Sequence, residues 1–391
     1  MSTGPVRPRS SILLSLAAPV AAVLFALLFS SLVLLISGKD PVAAFSAMLS
    51  YGSRLETFVD AVNRATPLYI AGVAVAIGFR MNLFNIGVES QYILAALIST
   101  QVGTVIDLPA PLHVTVIIVV AMVIGALWAA IPAVLKVTRG VNEVIATIML
   151  NAIGVSFVAA FLLARWDSEG QDTRTADIPE SGRMPDLNGL FEIFTREIQK
   201  GRHVYGFLLV AVVVGLAYWF VLNRTTLGYD LRASGANPMA AEASGVPAKR
   251  MILIAMIASG AIAGLIGLPD VLGDRYHFGG DFPQGLGFLG IAVALLGRNN
   301  PGGIVAAAMV FAYLDATAPI LELEGDAPRE IVTITKGVII FAAVIAYAVV
   351  ERAQRRREVA AAARATAALH ADEDPGGGGG AAPAAAQGVR A

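Results

Sequence analysis

"ILLSLAAPVAAVLFALLFSSLVLLI", Ile12 to Ile36, runs for 25 residues without a charge. A helix needs ~20 apolar residues to cross a hydrocarbon layer of ~30 Å. The apolar core of a cleavable signal is only ~7–15 residues long. With Arg7 and Arg9 in front of it, the stretch therefore reads as a first membrane span and not as a leader. Similar runs recur to the end of the chain, giving expected spans at 12–36, 60–79, 84–106, 112–135, 144–164, 204–222, 251–269, 284–297, 303–321 and 330–350. In lipid only helices or closed barrels satisfy the backbone's polar groups. These runs are too long and too continuous for barrel strands. The expected fold is an all-α polytopic membrane protein of about ten transmembrane helices.

The composition agrees. Of 391 residues, 56% are hydrophobic and 15% charged, against about 25% charged in soluble domains. A net charge of -1 gives no reason to expect a nucleic-acid partner. There is no cysteine, and His113, His203, His277 and His370 are scattered, so neither thiol chemistry nor a histidine metal site is suggested. The chain contains no G-x-x-x-x-G-K-[ST] phosphate loop, no G-x-S-x-G elbow and no H-E-x-x-H. No catalytic residue is singled out.

Lysine and arginine positions set the orientation. With residues 1–11 in the cytoplasm, the inner loops carry Arg80, Lys136, Arg139, Arg224, Arg232, Lys249, Arg250 and Arg298, and the tail carries Arg352, Arg355, Arg356 and Arg357. The domain plan is then a membrane domain over 12–350, holding an external loop at 165–203 and a cytoplasmic loop at 223–250, followed by a low-complexity tail over 351–391 that reads as disordered. The tail arginines suit either a lipid-headgroup contact or an ordinary positive-inside anchor. Both termini are expected inside. Five spans precede residue 204 and five follow it, which would make the halves an inverted 5+5 repeat. A faint trace supports this: "FNIGVESQYILAALIS" from Phe84 and "FPQGLGFLGIAVALLG" from Phe282 agree at five of 16 positions.

Polar residues inside spans are the places to look for function. Asn85, Glu89 and Gln91 open the third span. Glu89 is read either as a group facing a translocation path or as a residue near the interface, with Asn85 capping its helix. Asn142 and Glu143 are explained by a cap and the helix dipole. Asn151 lies two turns deeper and needs a partner, from another helix or from a substrate hydroxyl. Asp270, Asp274 and Asp281 fall outside, where water suffices. Acids within the spans are almost confined to Glu89, which gives little support to a proton relay.

The inner loop "GYDLRASGANPMAAEASGVPAKR", Gly228 to Arg250, encodes a short capped helix. Asn237 suits an N-cap, Pro238 the first turn, Met239–Ser244 a helix, Gly245 the position past its end, and Pro247 prevents continuation. A lever that docks on another protein and a surface loop with an incidental turn both fit this pattern.

Four strings taken together, "FRMNLFNIGVESQ" (79–91), "GVNEVIATIMLN" (140–151), "GYDLRASGANPMAAEASGVP" (228–247) and "GLGFLGIAVALLGRNNPGG" (285–303), resemble the permease subunit of a bacterial ATP-binding-cassette importer. The group is the branched-chain amino acid/ribose-type permeases, and within it the strings most resemble the nucleoside or simple-sugar branch. The resemblance covers about 60–350. It departs at Ser90, where glycine is expected.

The resemblance implies alternating access in the bacterial plasma membrane, beside a second homologous permease subunit. It implies an ATP-binding cassette ATPase that binds ATP and Mg, this chain binding no cofactor itself. An extracellular substrate-binding lipoprotein would deliver the solute. Asn237–Gly245 would be the coupling helix, with Gly235, Asn237, Pro238, Glu242 and Gly245 serving ATPase coupling. Asn85, Glu89, Gln91 and Asn151 are expected along the substrate path. The expected solute is a nucleoside or related sugar-containing molecule, with simple sugars and branched-chain amino acids as alternatives. An ion-coupled secondary transporter would need buried ion ligands, and a membrane-embedded enzyme would need a cluster of histidines or acids.

Overall fold

The computed structural model describes residues 9–166, 173–191, 203–324 and 327–345, with Val349 and Arg352. Arg7, the rest of 1–8, Arg355, Arg356, Arg357 and the tail from 353 lie outside the described residues. The chain divides into two compact units, Met1–Val344 and Ile345–Ala391. Of the second unit, Ile345, Val349 and Arg352 are described and are helical.

Among the described residues the chain is organised by twelve helices of six residues or more and a thirteenth helical stretch. They are α1 (Arg9–Ile36), α2 (Pro41–Gly52), α3 (Leu55–Arg80), α4 (Val88–Val105), α5 (Ala110–Arg139), α6 (Glu143–Trp166), α7 (Phe207–Arg224), α8 (Thr226–Ala236), α9 (Pro238–Ala243), α10 (Ala248–Ala263), α11 (Leu286–Leu296), α12 (Pro301–Leu323) and α13 (residues 330–345). Among the described residues there is no β-strand, only one isolated bridge between Arg174 and Gly279. Among the described residues, six helical stretches are long and apolar enough to cross a membrane: Leu55–Arg80, Ala110–Arg139, Glu143–Phe161, Phe207–Arg224, Ala248–Arg275 and Pro301–Leu323. Val20–Ile36 and Leu286–Leu296 are shorter apolar helices.

Helix occurs at every expected span, but three readings are corrected. A helix at Pro41–Gly52 was not expected; Asp40 caps it, accepting from the Val42 amide at 2.8 Å, and Pro41 takes the first turn. The span expected from 84 begins only at Val88, because Leu83–Gly87 is a turn. The span expected over 251–269 is broken: α10 stops at Ala263, a short helix covers Leu268–Asp270, and a π-helical turn covers Val271–Arg275.

Burial sorts the helices by role. From Leu68 to Ala76 every residue of α3 is buried, and so is α4 from Val88 to Leu97. These two are the core. The outer helices keep large apolar side chains exposed, among them Leu127 and Val134 on α5, Met149 and Phe157 on α6, and Val213 and Phe220 on α7. Such a surface suits lipid contact. α3 packs on α10, α11 and α12, and α5 packs on α4 and α10.

The α5–α10 crossing depends on missing side chains. A methyl group on Gly125 would collide with the Gly260 carbonyl, and one on Gly264 with the Ala121 carbonyl. Small residues allow this close approach, which is how helices gain packing energy in lipid. Gly260→Val should therefore cost about 3 kcal/mol, the upper end of overpacking penalties, because a backbone carbonyl cannot move aside. The expected outcome is a melting temperature lowered by roughly 5–10 °C in detergent. Unchanged melting would show that the crossing relaxes.

Part of the 165–203 loop is described, and it is docked on the bundle. Thr175, Ile178 and Met184 donate backbone bonds to Phe278, Tyr276 and Leu272 at 2.8, 2.7 and 2.9 Å. Buried His113 joins it to α4, its ring nitrogens lying 2.9 Å from the Ser181 hydroxyl and 3.0 Å from the Gly103 carbonyl.

Candidate functional site

Three constructions stand out: a polar clasp in the core of the bundle, a cavity beside it, and a helical pair at the opposite end.

The clasp forms where α4 and α11 begin. Glu89 is 5% exposed. Its carboxylate accepts from the Gly285 amide at 2.6 Å and the Gly287 amide at 2.9 Å, and from the Tyr92 hydroxyl at 3.1 Å. These are amides at the positive end of α11, so one buried charge caps a helix from the other half of the chain. Gly287 has no side chain because one would run into the Glu89 backbone.

Asn85 and Gln91 form a reciprocal amide pair at 3.0 and 3.1 Å, and Asn85 also donates to Ser259 of α10 at 2.9 Å. Ser259 in turn donates to the Ala74 carbonyl of α3 at 2.7 Å. The reading of Asn85 as the α4 cap is corrected: the capping position is Gly87, with no side-chain cap. Asn151 donates to the Ile86 carbonyl at 2.7 Å and accepts from the Ser90 amide at 3.1 Å, so its partner is the turn before α4. Ser90, where a glycine was expected, receives the Trp128 indole bond at 3.0 Å.

The four expected path residues are thus brought together around one turn, and each bonds to protein. Asn142 caps α6 through the Val144 amide, while Glu143 pairs with Lys136 at 2.6 Å.

The cavity, about 410 Å³, lies at the end of the bundle away from Arg80. Its lining includes Asp60, Asn63, Arg64, Tyr205, Asp270, Asp274, Arg275, Phe282, Pro283, Leu286 and Asp315. The clasp supports its wall directly: the Tyr92 hydroxyl is shared between Glu89 and the Pro283 carbonyl, 2.8 Å from the latter, and Glu89 holds the amides flanking Leu286. Asn63 bonds the His203 carbonyl and the Tyr205 amide at 2.7 and 3.0 Å, fixing the start of α7 at the rim. Asp270 was read as solvated. It is a quarter exposed and pairs with Arg275 at 3.1 Å, while Arg275 also pairs with Asp281.

The expectation that acids within the spans are almost confined to Glu89 gains one addition. Asp315, well inside α12, pairs with Lys336 of α13 at 2.6 Å. Both charges stand in apolar runs of adjacent spans, 21 residues apart, and that opposite-charge spacing was the signal available in the sequence.

At the other end, the 223–250 loop holds two helices where one was expected. Asn237 ends α8 and caps α9, its side chain accepting from the Ala240 amide at 3.1 Å. Pro238 takes the first turn, and Gly245 follows α9 with φ +86°, a left-handed conformation natural to glycine. The outer face is open: Pro238, Glu242 and Gly245 are exposed, and Met239 is 81% exposed.

The inner face is fixed to the bundle. Gly235 lies against the Arg80 carbonyl and Met81, where any side chain would collide. Leu231 is buried in a cluster with Met81, Leu83, Met251 and Met256. Arg80 itself reaches the Asn299 carbonyl at 2.6 Å, which also accepts from Tyr218 at 2.9 Å. The contacts from α9 to the clasp therefore run through α8 and the Met81–Ile86 turn.

Comparison with known proteins gives a consistent picture. The family model described as branched-chain amino acid transport system / permease component matches residues 57–348. The guanosine ABC transporter permease protein NupP of Bacillus subtilis is 33% identical over 335 residues, 85% of this chain and 93% of its own. The nucleoside ABC transporter permease protein NupB of Lactococcus lactis is 30% identical over 343 residues, 83% of this chain and 90% of its own. The glucose ABC transporter permease protein TsgB13 of Haloferax volcanii is 32% identical over 329 residues, 82% and 85% of the two chains.

Proposed function

This chain belongs to the branched-chain amino acid transport system permease family, a family of transport subunits and not of enzymes, and from that premise we propose that it carries nucleosides inward through a bacterial plasma membrane. The observation that carries the substrate reading is the likeness, over 83–85% of the chain, to two permeases named for guanosine and for nucleosides. A simple sugar is the second reading, favoured by the similarity to a permease named for glucose.

In this reading the chain crosses the membrane about ten times, in an inverted 5+5 arrangement with both termini cytoplasmic. The clasp supports that symmetry, because the two stretches with a faint sequence trace, from Phe84 and from Phe282, are the ones it joins. The cavity opens to the outside, where an external lipoprotein delivers solute. Asn85, Glu89, Gln91 and Asn151 stand along the path as the frame that fixes its walls. A second homologous permease completes the pathway. ATP and Mg reside on a partner ATPase, which receives α9 through Pro238, Glu242 and Gly245, with Gly235 and Asn237 holding the lever.

The test is uptake in proteoliposomes. The full complex should accumulate a ribonucleoside against its gradient only with ATP, and this chain alone should accumulate none. Accumulation by the isolated chain would remove the ATP-driven reading. ATP-dependent uptake of glucose with no nucleoside uptake would replace the substrate.

A further inference from the structure

We propose that Asp315 is a solute-contacting, specificity-determining residue that accepts hydrogen bonds from the vicinal hydroxyls of a neutral sugar moiety crossing the cavity. The inference rests on the nucleoside reading above and deepens it. Three observations lead to it. First, Asp315 lines the cavity, and its side chain keeps 27% exposure although it sits inside α12. Second, only one of its oxygens is engaged: Oδ1 lies 2.6 Å from the Lys336 ammonium, while Oδ2 has no hydrogen-bond partner among the described residues. Third, Lys336 is held behind the wall, 14% exposed, with its neighbour Thr335 bonded to Ser30 of α1 at 2.6 Å.

A charged side chain within a membrane span is costly and is retained for a purpose. Lys336 offsets that cost for Asp315 without occupying the cavity. What remains facing the cavity is a carboxylate oxygen with acceptor capacity and no donor. Such a group suits hydroxyls.

The rest of the lining agrees with a neutral polyol attached to a flat base. Tyr205 and Phe282 contribute aromatic lining, and the carboxylates of Asp60, Asp270 and Asp274 outnumber Arg64 and Arg275, which disfavours a phosphorylated solute. A site that hydrogen-bonds a hydroxyl discriminates strongly against analogues lacking it.

The test uses the full transporter in proteoliposomes, with a ribonucleoside and its 2′,3′-dideoxy analogue. Affinities of the external binding protein for both are measured separately, so that its own preference is divided out. The wild type should prefer the ribonucleoside. Asp315→Asn should reduce ribonucleoside uptake roughly tenfold, the effect of one charged hydrogen bond, and change dideoxy uptake by less than about twofold.

Because Asp315→Asn also strands Lys336, the charge swap Asp315→Lys with Lys336→Asp is the companion variant. It keeps the ion pair and puts the cation in the cavity, and it too should lose the preference. If either variant assembles with its ATPase and retains the wild-type preference, or if both solutes fall equally, Asp315 is structural only and the inference is overturned. A wild-type complex that carries neither solute overturns the nucleoside reading and this inference with it.

Discussion

Replacing Glu89 by alanine is expected to cut the amount of correctly folded permease at least tenfold. The carboxylate accepts from Gly285, Gly287 and Tyr92 at 2.6, 2.9 and 3.1 Å in a site that is 5% exposed. Its removal leaves two amides at the start of α11 with no water to take over, while the Tyr92 phenol keeps the Pro283 carbonyl at 2.8 Å. Each unsatisfied amide costs about 1–3 kcal/mol, so the two together cost about 2–6 kcal/mol, against net stabilities of about 5–15 kcal/mol. Glu89→Gln keeps an acceptor for one amide and should lie between. The measurement is monodisperse protein recovered after detergent extraction, with melting temperature on the same sample. Wild-type recovery and melting for Glu89→Ala would show that the clasp supports nothing. Wild-type recovery with abolished transport would instead place Glu89 in direct contact with the solute.

The second large effect is expected at the cytoplasmic lever. Gly245→Trp should lower uptake by roughly tenfold or more while insertion and folding stay near wild type. Nothing lies within 4 Å of where its Cβ would be, so the ring projects outward without disturbing the bundle. The left-handed backbone, φ +86°, adds about 1–2 kcal/mol of local strain. Gly245→Ala carries that strain without the ring and so isolates the steric part. Glu242→Arg reverses an exposed charge on the same short helix and should act in the same direction. In both variants ATP hydrolysis by the complex should continue without uptake. If both carry solute at the wild-type rate per ATP, the surface around α9 is not where the motor pushes.

What the sequence disclosed follows from the range of the forces involved. Helices set by unbroken apolar runs were legible, since a run such as Ile12–Ile36 needs no partner to be recognised. So was α9, whose Asn237, Pro238 and Gly245 signals all lie within nine residues. The break after Ala263 was not, because the turn at Gly264–Gly267 lies inside an apolar run that shows no polar interruption. Nor was α8: Gly228, Ser234 and Gly235 are poor helix formers, and its stability comes from Thr225 capping Gly228 and from packing Leu231. Glu89 was legible as an oddity but not as a cap, because its partners lie almost 200 residues later. Asp315 and Lys336 stand on adjacent spans 21 residues apart, so neither charge shows its partner within its own span.

The separation of 196 residues between Glu89 and Gly285 has a consequence for biogenesis. The ribosome delivers the acid to the translocon long before it makes the amides that will receive it. The half-made chain must hold a naked carboxylate against hydrocarbon, or leave it at the headgroups, until α11 emerges. Truncation anywhere between the two leaves that acid without the amides that receive it in the complete chain.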